Sequence, residues 1–239
     1  MKNTKVLNNI EHADLRIDTR KKMEYGDSVG GSIIFPSEVL AAQKEYPIFF
    51  QKSSETGEFQ MIVLFGFKQD ENLFLTESGW QAEFIPAVIE RDPFLIGFQA
   101  DSSTGEKRPV VHIDMDSPRI TSEGKGVPVF LDNGGNSPYL DALTKHLDLV
   151  NEGVGAAQKM FEVFTEYALI ESIALDIEFN DGTGYNSNMY YNINQDRIYE
   201  LHGDEVVKLH QGGYLQLAYL ILASFGNLKR LVDRRNALG

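Results

Sequence analysis

The chain has 239 residues, no cysteine, and 35 acidic against 22 basic side chains, for a net charge of -13. That balance repels phosphate backbones and anionic lipid, and the missing cysteines remove disulfides, thiolate metal sites, iron–sulfur clusters and cysteine nucleophiles. With 42% hydrophobic and 11% aromatic residues, the length supplies one sizeable core and gives no reason for extended disorder.

Residues 1–34 are polar and end with Gly30 and Gly31 ahead of Pro36, so they read as a mobile lead-in, with residues 35–239 as a single domain. They lack the apolar stretch and cleavage site of a secretory signal and carry Glu11, Asp14 and Asp18 where a signal is apolar. Together with the absence of cysteine, this points to a cytoplasmic protein. Ser37 is placed to cap a short helix running to Lys44. YPIFF and EFQMIVLFGF then predict an antiparallel hairpin across the polar turn SSETGE.

The next stretch, Asn72 to Phe98, holds the only tryptophan, and its prolines Pro86 and Pro93 bracket a single helical turn, AVIER. It reads as an irregular, aromatic-rich connection. A second hairpin pairs PFLIGFQA with PVVHIDM across DSSTGEKR. GKGVPVFLDNGGNSP is rich in turn residues and marks a subdomain break near residues 124–137.

Ser137 followed by Pro138 is a helix start, and the helix is expected to reach about Val150 before Gly153 and Gly155 break it. Val154, Ala157, Met160, Phe161, Phe164 and Ala168 then recur at helical spacing, which predicts a second helix to about Leu169. From Ile173 the period drops to two, and ALDIEF, NMYYNI and RIYEL predict a small meander. The chain closes on an apolar stripe from Tyr214 to Val232, a long C-terminal helix interrupted at Gly226. Its most apolar run, Tyr214 to Phe225, is shorter than the roughly 20 residues a membrane span needs.

Strands that come as hairpins, not singly between helices, predict an α+β fold: antiparallel hairpins and a meander with about three longer helices packed on one side. Neither GxxxxGK[ST] nor GxGxxG occurs.

Several of these segments, ENLFL, GW, FIPAVIERDPF, EGKGVPVFLDNGGNSPYL, NINQDRIYEL and HQGGYLQLAYLILASFGNLKRL, resemble the SapC family of bacterial proteins from about Pro36 to Arg235. The resemblance implies a cytoplasmic protein encoded near TonB-dependent receptors, flavin-dependent halogenase-like proteins and cupin-like oxygenases, and it brings no catalytic residues. The family pattern places a basic pair and a tyrosine before Pro-Phe; here Glu90, Arg91 and Asp92 precede Pro93, which leaves Arg91 as the one cation.

Among residues that could carry chemistry, His112 and Asp114 have the HxD spacing of a two-histidine, one-carboxylate iron site, with His146, His202 or His210 as third ligand. The same alternation suits an exposed pair on a strand face. Asp132, Asn133 and Asn136 fail the twelve-residue calcium-loop pattern, and no serine stands in a GxSxG elbow.

Trp80, beside Gly79, is the aromatic best placed to line a groove and orient a peptide or sugar through its indole N–H, and Asn72 and Arg91 join it as ligand- or partner-binding residues. The closing helix could present Leu228, Leu231 and its basic residues to another copy of the chain.

These features converge on a non-enzymatic accessory or binding protein with no cofactor. Its partner would be a halogenase-like or cupin-like neighbour, a small ligand or a second copy; nucleic acid and membrane insertion are excluded. The alternatives are a non-haem metal-dependent oxidoreductase using His112 and Asp114, and a structural or export factor of a surface layer.

Overall fold

The computed structural model describes residues 3–100, 105, 107–121 and 124–238. Three short strands come first, β1 (Thr4–Val6), β2 (Arg16–Ile17) and β3 (Gly31–Ile33), followed by a 3-10 turn at Pro36–Glu38 and a short helix α1 (Val39–Ala42). The hairpin β4 (Ile48–Lys52) and β5 (Phe59–Leu64) precedes the two-residue strands β6 (Leu75–Thr76) and β7 (Gly79–Trp80), the single turn α2 (Ala87–Glu90), and a hairpin of β8 (Phe94–Ala100) and β9 (Lys107–Asp114). Then come β10 (Ile120–Thr121), β11 (Val127–Pro128), the helix α3 (Pro138–Glu166), and a hairpin of β12 (Ile170–Glu178) and β13 (Gly184–Ile193). Four helices close the chain: α4 (Gln195–Glu200), α5 (Asp204–Gln211), α6 (Tyr214–Ser224) and α7 (Gly226–Asn236).

Among the described residues the main sheet has the order β12-β13-β4-β5-β3, and three smaller sheets are ordered β1-β9-β8, β10-β2-β11 and β6-β7. Every strand pairing among the described residues is antiparallel, as the α+β reading requires. Two hydrophobic cores result. The first, under the main sheet, draws on Ile34 to Phe74 and then on Met160 to Leu231. The second draws on Leu15 and Ile17, then on Phe94 to Leu147. The cores are thus interleaved along the chain.

One helix joins them. α3 starts where expected, with the Ser137 hydroxyl accepting from the Leu140 N–H at 3.2 Å and Pro138 in the first turn. Its first half sends Leu140, Leu143 and Leu147 into the second core, and its second half sends Met160, Phe161 and Phe164 into the first. There Phe50 meets Phe161 edge-on at 5.1 Å, a contact worth about 0.5–1.5 kcal/mol beyond the area it buries.

The expected break at Gly153 and Gly155 is absent: α3 runs unbroken for 29 residues. Gly153 serves another purpose, because a Cβ there would stand 2.3 Å from Phe35 Cγ, so the glycine lets the Phe35 ring cross the helix at its midpoint. Gly155 faces open space.

Two further expectations need correcting. RIYEL is not a third strand but α4, whose start is capped by the Asn194 side chain accepting from the Arg197 N–H at 2.9 Å. Ser37 does not cap the early helix. Pro36 opens the turn instead, and the Glu38 carboxylate accepts from the N–H groups of Phe35 and Ala87, both at 2.9 Å. Residues 3–34 contribute three strands: β1 pairs with β9, β2 lies between β10 and β11, and β3 ends the main sheet. Of residues 124–137, Val129 and Phe130 are buried in the second core, with Val127 packed against it. Of the predicted turn DSSTGEKR, residues 101–104 and 106 lie outside the described residues.

Between the cores sits Arg119, 1% exposed. Its Nε donates to Asp92 at 2.7 Å, its Nη2 pairs with buried Asp27, its Nη1 donates to the Arg20 carbonyl at 2.8 Å, and its guanidinium lies 5.2 Å from the Tyr25 ring centroid. Close by, Arg20 and the Tyr25 hydroxyl hold the Asp18 carboxyl well below the usual carboxylate range. The N-terminal segment is thereby fastened to the end of α2 and to the turn before β10.

Two pairs of substitutions test this frame. Gly153→Ala should cost about 1–3 kcal/mol through overpacking against Phe35, whereas Gly155→Ala in the same helix should stabilise by about 0.5–1 kcal/mol. Urea unfolding measures both, and equal effects would contradict the assigned role of Gly153. In the same assay Asp27→Asn should cost about 3–5 kcal/mol by leaving Arg119 underpaired, and Asp92→Asn, whose carboxylate is about half exposed, less than about 1 kcal/mol.

Candidate functional site

Trp80 and Asn72 spend their side-chain polar atoms on contacts within the fold, whereas Arg91 does so only in part, its buried Nε having no hydrogen-bond partner among the described residues. The Trp80 indole N–H donates to the Tyr46 hydroxyl at 2.9 Å, and the Tyr46 hydroxyl donates in turn to the Phe84 carbonyl. The indole also meets Phe65 edge-on at 5.0 Å. Asn72 is buried, donating to the Asp27 carbonyl at 2.9 Å and accepting from the Phe74 N–H at 3.0 Å. Phe74, Trp80 and Phe84 therefore serve the first core and Phe94 the second, while Phe98 is exposed.

The triplet Glu90–Arg91–Asp92 spreads to three partners. Glu90 pairs with Lys21 at 3.3 Å, Arg91 Nη1 donates to the Phe94 carbonyl at 3.0 Å, and Asp92 accepts from Arg119. Burial pushes the Arg91 pKa down, with Asp92 opposing. At the other end of the chain Leu231 is buried, the Arg234 guanidinium lies 4.3 Å from the Phe74 ring centroid, and Arg235 pairs with Asp181 at 2.8 Å. Three of the side chains that could have met another copy are thus turned inward.

His112 and Asp114 follow one another on the same face of β9, as alternation requires. The imidazole lies over Gly97 of the neighbouring strand, where a Cβ would stand 2.4 Å from Nε2, and Asp114 Oδ1 accepts from the Asp116 N–H at 3.1 Å. His146 lies on α3, His202 follows α4 and His210 lies on α5. Among the described residues no group of three or more His, Asp or Glu side chains is placed to hold a metal ion. In the rejected calcium loop, the Asn133 side chain accepts from the Gly135 N–H at 3.0 Å, closing the turn on itself.

A cavity of about 340 Å³ is lined by Asp92 and Asp114 with Tyr25 and Asp27, and two larger ones lie elsewhere, at the edge where β3 leaves the main sheet. Pro36, which has no N–H to offer a ladder, turns the chain away. β3 covers β5 only from Ile62 to Leu64, so Phe59 and Gln60 pair with β4 alone. Side chains alternate across β5, so this gap opens two grooves on opposite faces of the sheet.

On the α3 side a groove of about 620 Å³ is lined by Phe35, Phe59, Met61, Ala157 and Phe161, with Val154, 60% exposed, along its wall and Glu58, Gln60, Gln158, Glu162 and Thr165 as its polar members. On the other face a groove of about 630 Å³ has an apolar floor of Ile33, Ile62 and Leu64 flanked by Gln51, Gln60 and Lys68. The hydroxyls of Tyr185 and Tyr190, 2.8 Å apart, close one side of it. Burial pushes the Tyr190 pKa up.

The first groove has the apolar lining and sparse polar groups of a small-ligand site. Its helix wall was visible in sequence as the apolar stripe Val154, Ala157, Phe161. The sign that this stripe does more than fill a core is Val154 itself, a turn and more ahead of buried Met160 and left exposed.

Replacing Trp80 by Phe should destabilise the fold by about 1–3 kcal/mol, because Tyr46, fully buried, loses its donor and the ring shrinks. A variant as stable as the parent in a urea titration would release Trp80 from this structural role.

The SapC family model aligns with residues 7–231. Nothing among curated proteins or solved structures matches. On the strength of a family match over nearly the whole length, this chain belongs to the SapC family.

Proposed function

We propose that this SapC-family chain is a non-enzymatic binding protein whose ligand occupies the apolar groove between α3 and the open edge of the main sheet. The groove itself carries the reading: its volume of about 620 Å³ falls within the roughly 300–1,000 Å³ of small-molecule sites, and aromatic and aliphatic side chains dominate its lining. His146, His202 and His210 lie outside β9, which carries His112 and Asp114, and this separation favours binding over metal-dependent catalysis.

A cytoplasmic accessory role fits the same reading, in which the loaded and empty forms differ in how they meet a halogenase-like or cupin-like neighbour. The groove is well suited to such signalling because its wall is the helix that both cores share.

Titration with the apolar fluorophore N-phenyl-1-naphthylamine tests the site. The parent should give saturable one-to-one enhancement. Val154→Asp, at an exposed wall position, and Ala157→Phe, which fills the groove, should each weaken binding at least about tenfold, equivalent to about 1.4 kcal/mol. Unfolding midpoints establish that both variants are folded. Unsaturable enhancement, or undiminished binding in both folded variants, would remove the groove as the site.

A further inference from the structure

We infer that the groove between α3 and the main sheet selects a single-chain amphiphile with a cationic head group, a primary or quaternary amine. This rests on the groove being the ligand site and adds the chemistry of what it takes.

The polar members of the lining are not balanced in charge. Glu58 and Glu162 stand at the groove, and its lining holds no lysine, arginine or histidine. Neither carboxylate is in an ion pair with a cation among the described residues. Glu162 is steadied from one side only, accepting from Gln158 Nε2 at 3.2 Å, one helical turn earlier. Lys52, on the same sheet face, lies 5.3 Å from the Phe59 ring centroid and 5.6 Å from that of Tyr191, and does not line the groove.

A bound carboxylate or phosphate head would therefore meet two negative charges and a chain of net charge -13, whereas an ammonium would meet two acceptors. The apolar lining suits an alkyl tail, and the size of the site favours a small occupant. About 620 Å³ accommodates a small molecule, while a docked protein would need about 800 Å² of surface from each partner.

Calorimetric titration of the full chain with three amphiphiles sharing a dodecyl tail, each below its micellar concentration, provides the test. The probes are dodecyltrimethylammonium, dodecanoate and the neutral dodecyl maltoside. Dodecyltrimethylammonium should bind at least about tenfold more tightly than dodecanoate at low ionic strength, with a preference that shrinks in salt. In a Glu58→Gln, Glu162→Gln double variant the preference should collapse while the affinity for dodecyl maltoside holds. A matched variant at two exposed acids outside the groove, Glu77→Gln with Glu171→Gln, should keep it.

If dodecanoate binds as well as the ammonium, or if the preference survives the groove variant, charge selection is overturned while the groove stands as an apolar site. If none of the three binds, the groove reading fails and the selectivity falls with it.

Discussion

The structure depends on a single helix being shared by two cores. α3 contributes three leucines to one core and three large apolar side chains to the other, and it can do so only by passing Phe35 at Gly153 without a side chain in the way. Were the helix broken there, each core would keep half a wall and lose the register between them. The groove follows from the same geometry. Phe35 packs directly on α3 at Gly153 and also lines the groove, so the crossing that the glycine permits forms one end of the groove's wall.

Charge does a second, complementary job at the junction of the cores. A chain so acidic has few cations to spend, and it places one of them, Arg119, almost wholly out of water between Asp27 and Asp92. Such an arrangement contributes less to net stability than to uniqueness, because any other packing of the N-terminal segment would leave a buried guanidinium without partners. The surplus of carboxylates elsewhere is then free to shape what approaches the surface.

Hairpins were readable from sequence wherever both strands and their turn are adjacent, as for β4 with β5 and β12 with β13. So was the start of α3, where Ser137 and Pro138 act locally. The misreadings share a physical cause in tertiary context. A glycine that makes room for a ring looks the same in one sequence as a glycine that ends a helix. Ile198 and Leu201 fit either a strand or a short helix until burial of both shows what the Asn194 cap selects. β1 and β2 are too short and polar to register alone, since their partners are supplied more than 90 residues later. For the site, attention went to rare or polar residues, Trp80, Asn72, Arg91 and His112, whereas the groove is built from ordinary apolar ones. Phe35, Phe59 and Phe161 come from three distant segments, and their adjacency exists only in the fold.

The interleaving of the two cores bears on how the chain can be made. A ribosome releases Leu15 and Ile17 long before Phe94 to Leu147, with which they pack, and it releases Ile34 to Phe74 before Met160 to Leu231. The second core is complete only once Leu147 has emerged and the first only once Leu231 has, so both rely on long-range contacts, the slow class in folding. The early aromatic strands are apolar surface in the meantime, and a protein organised this way has a built-in need for shelter during synthesis.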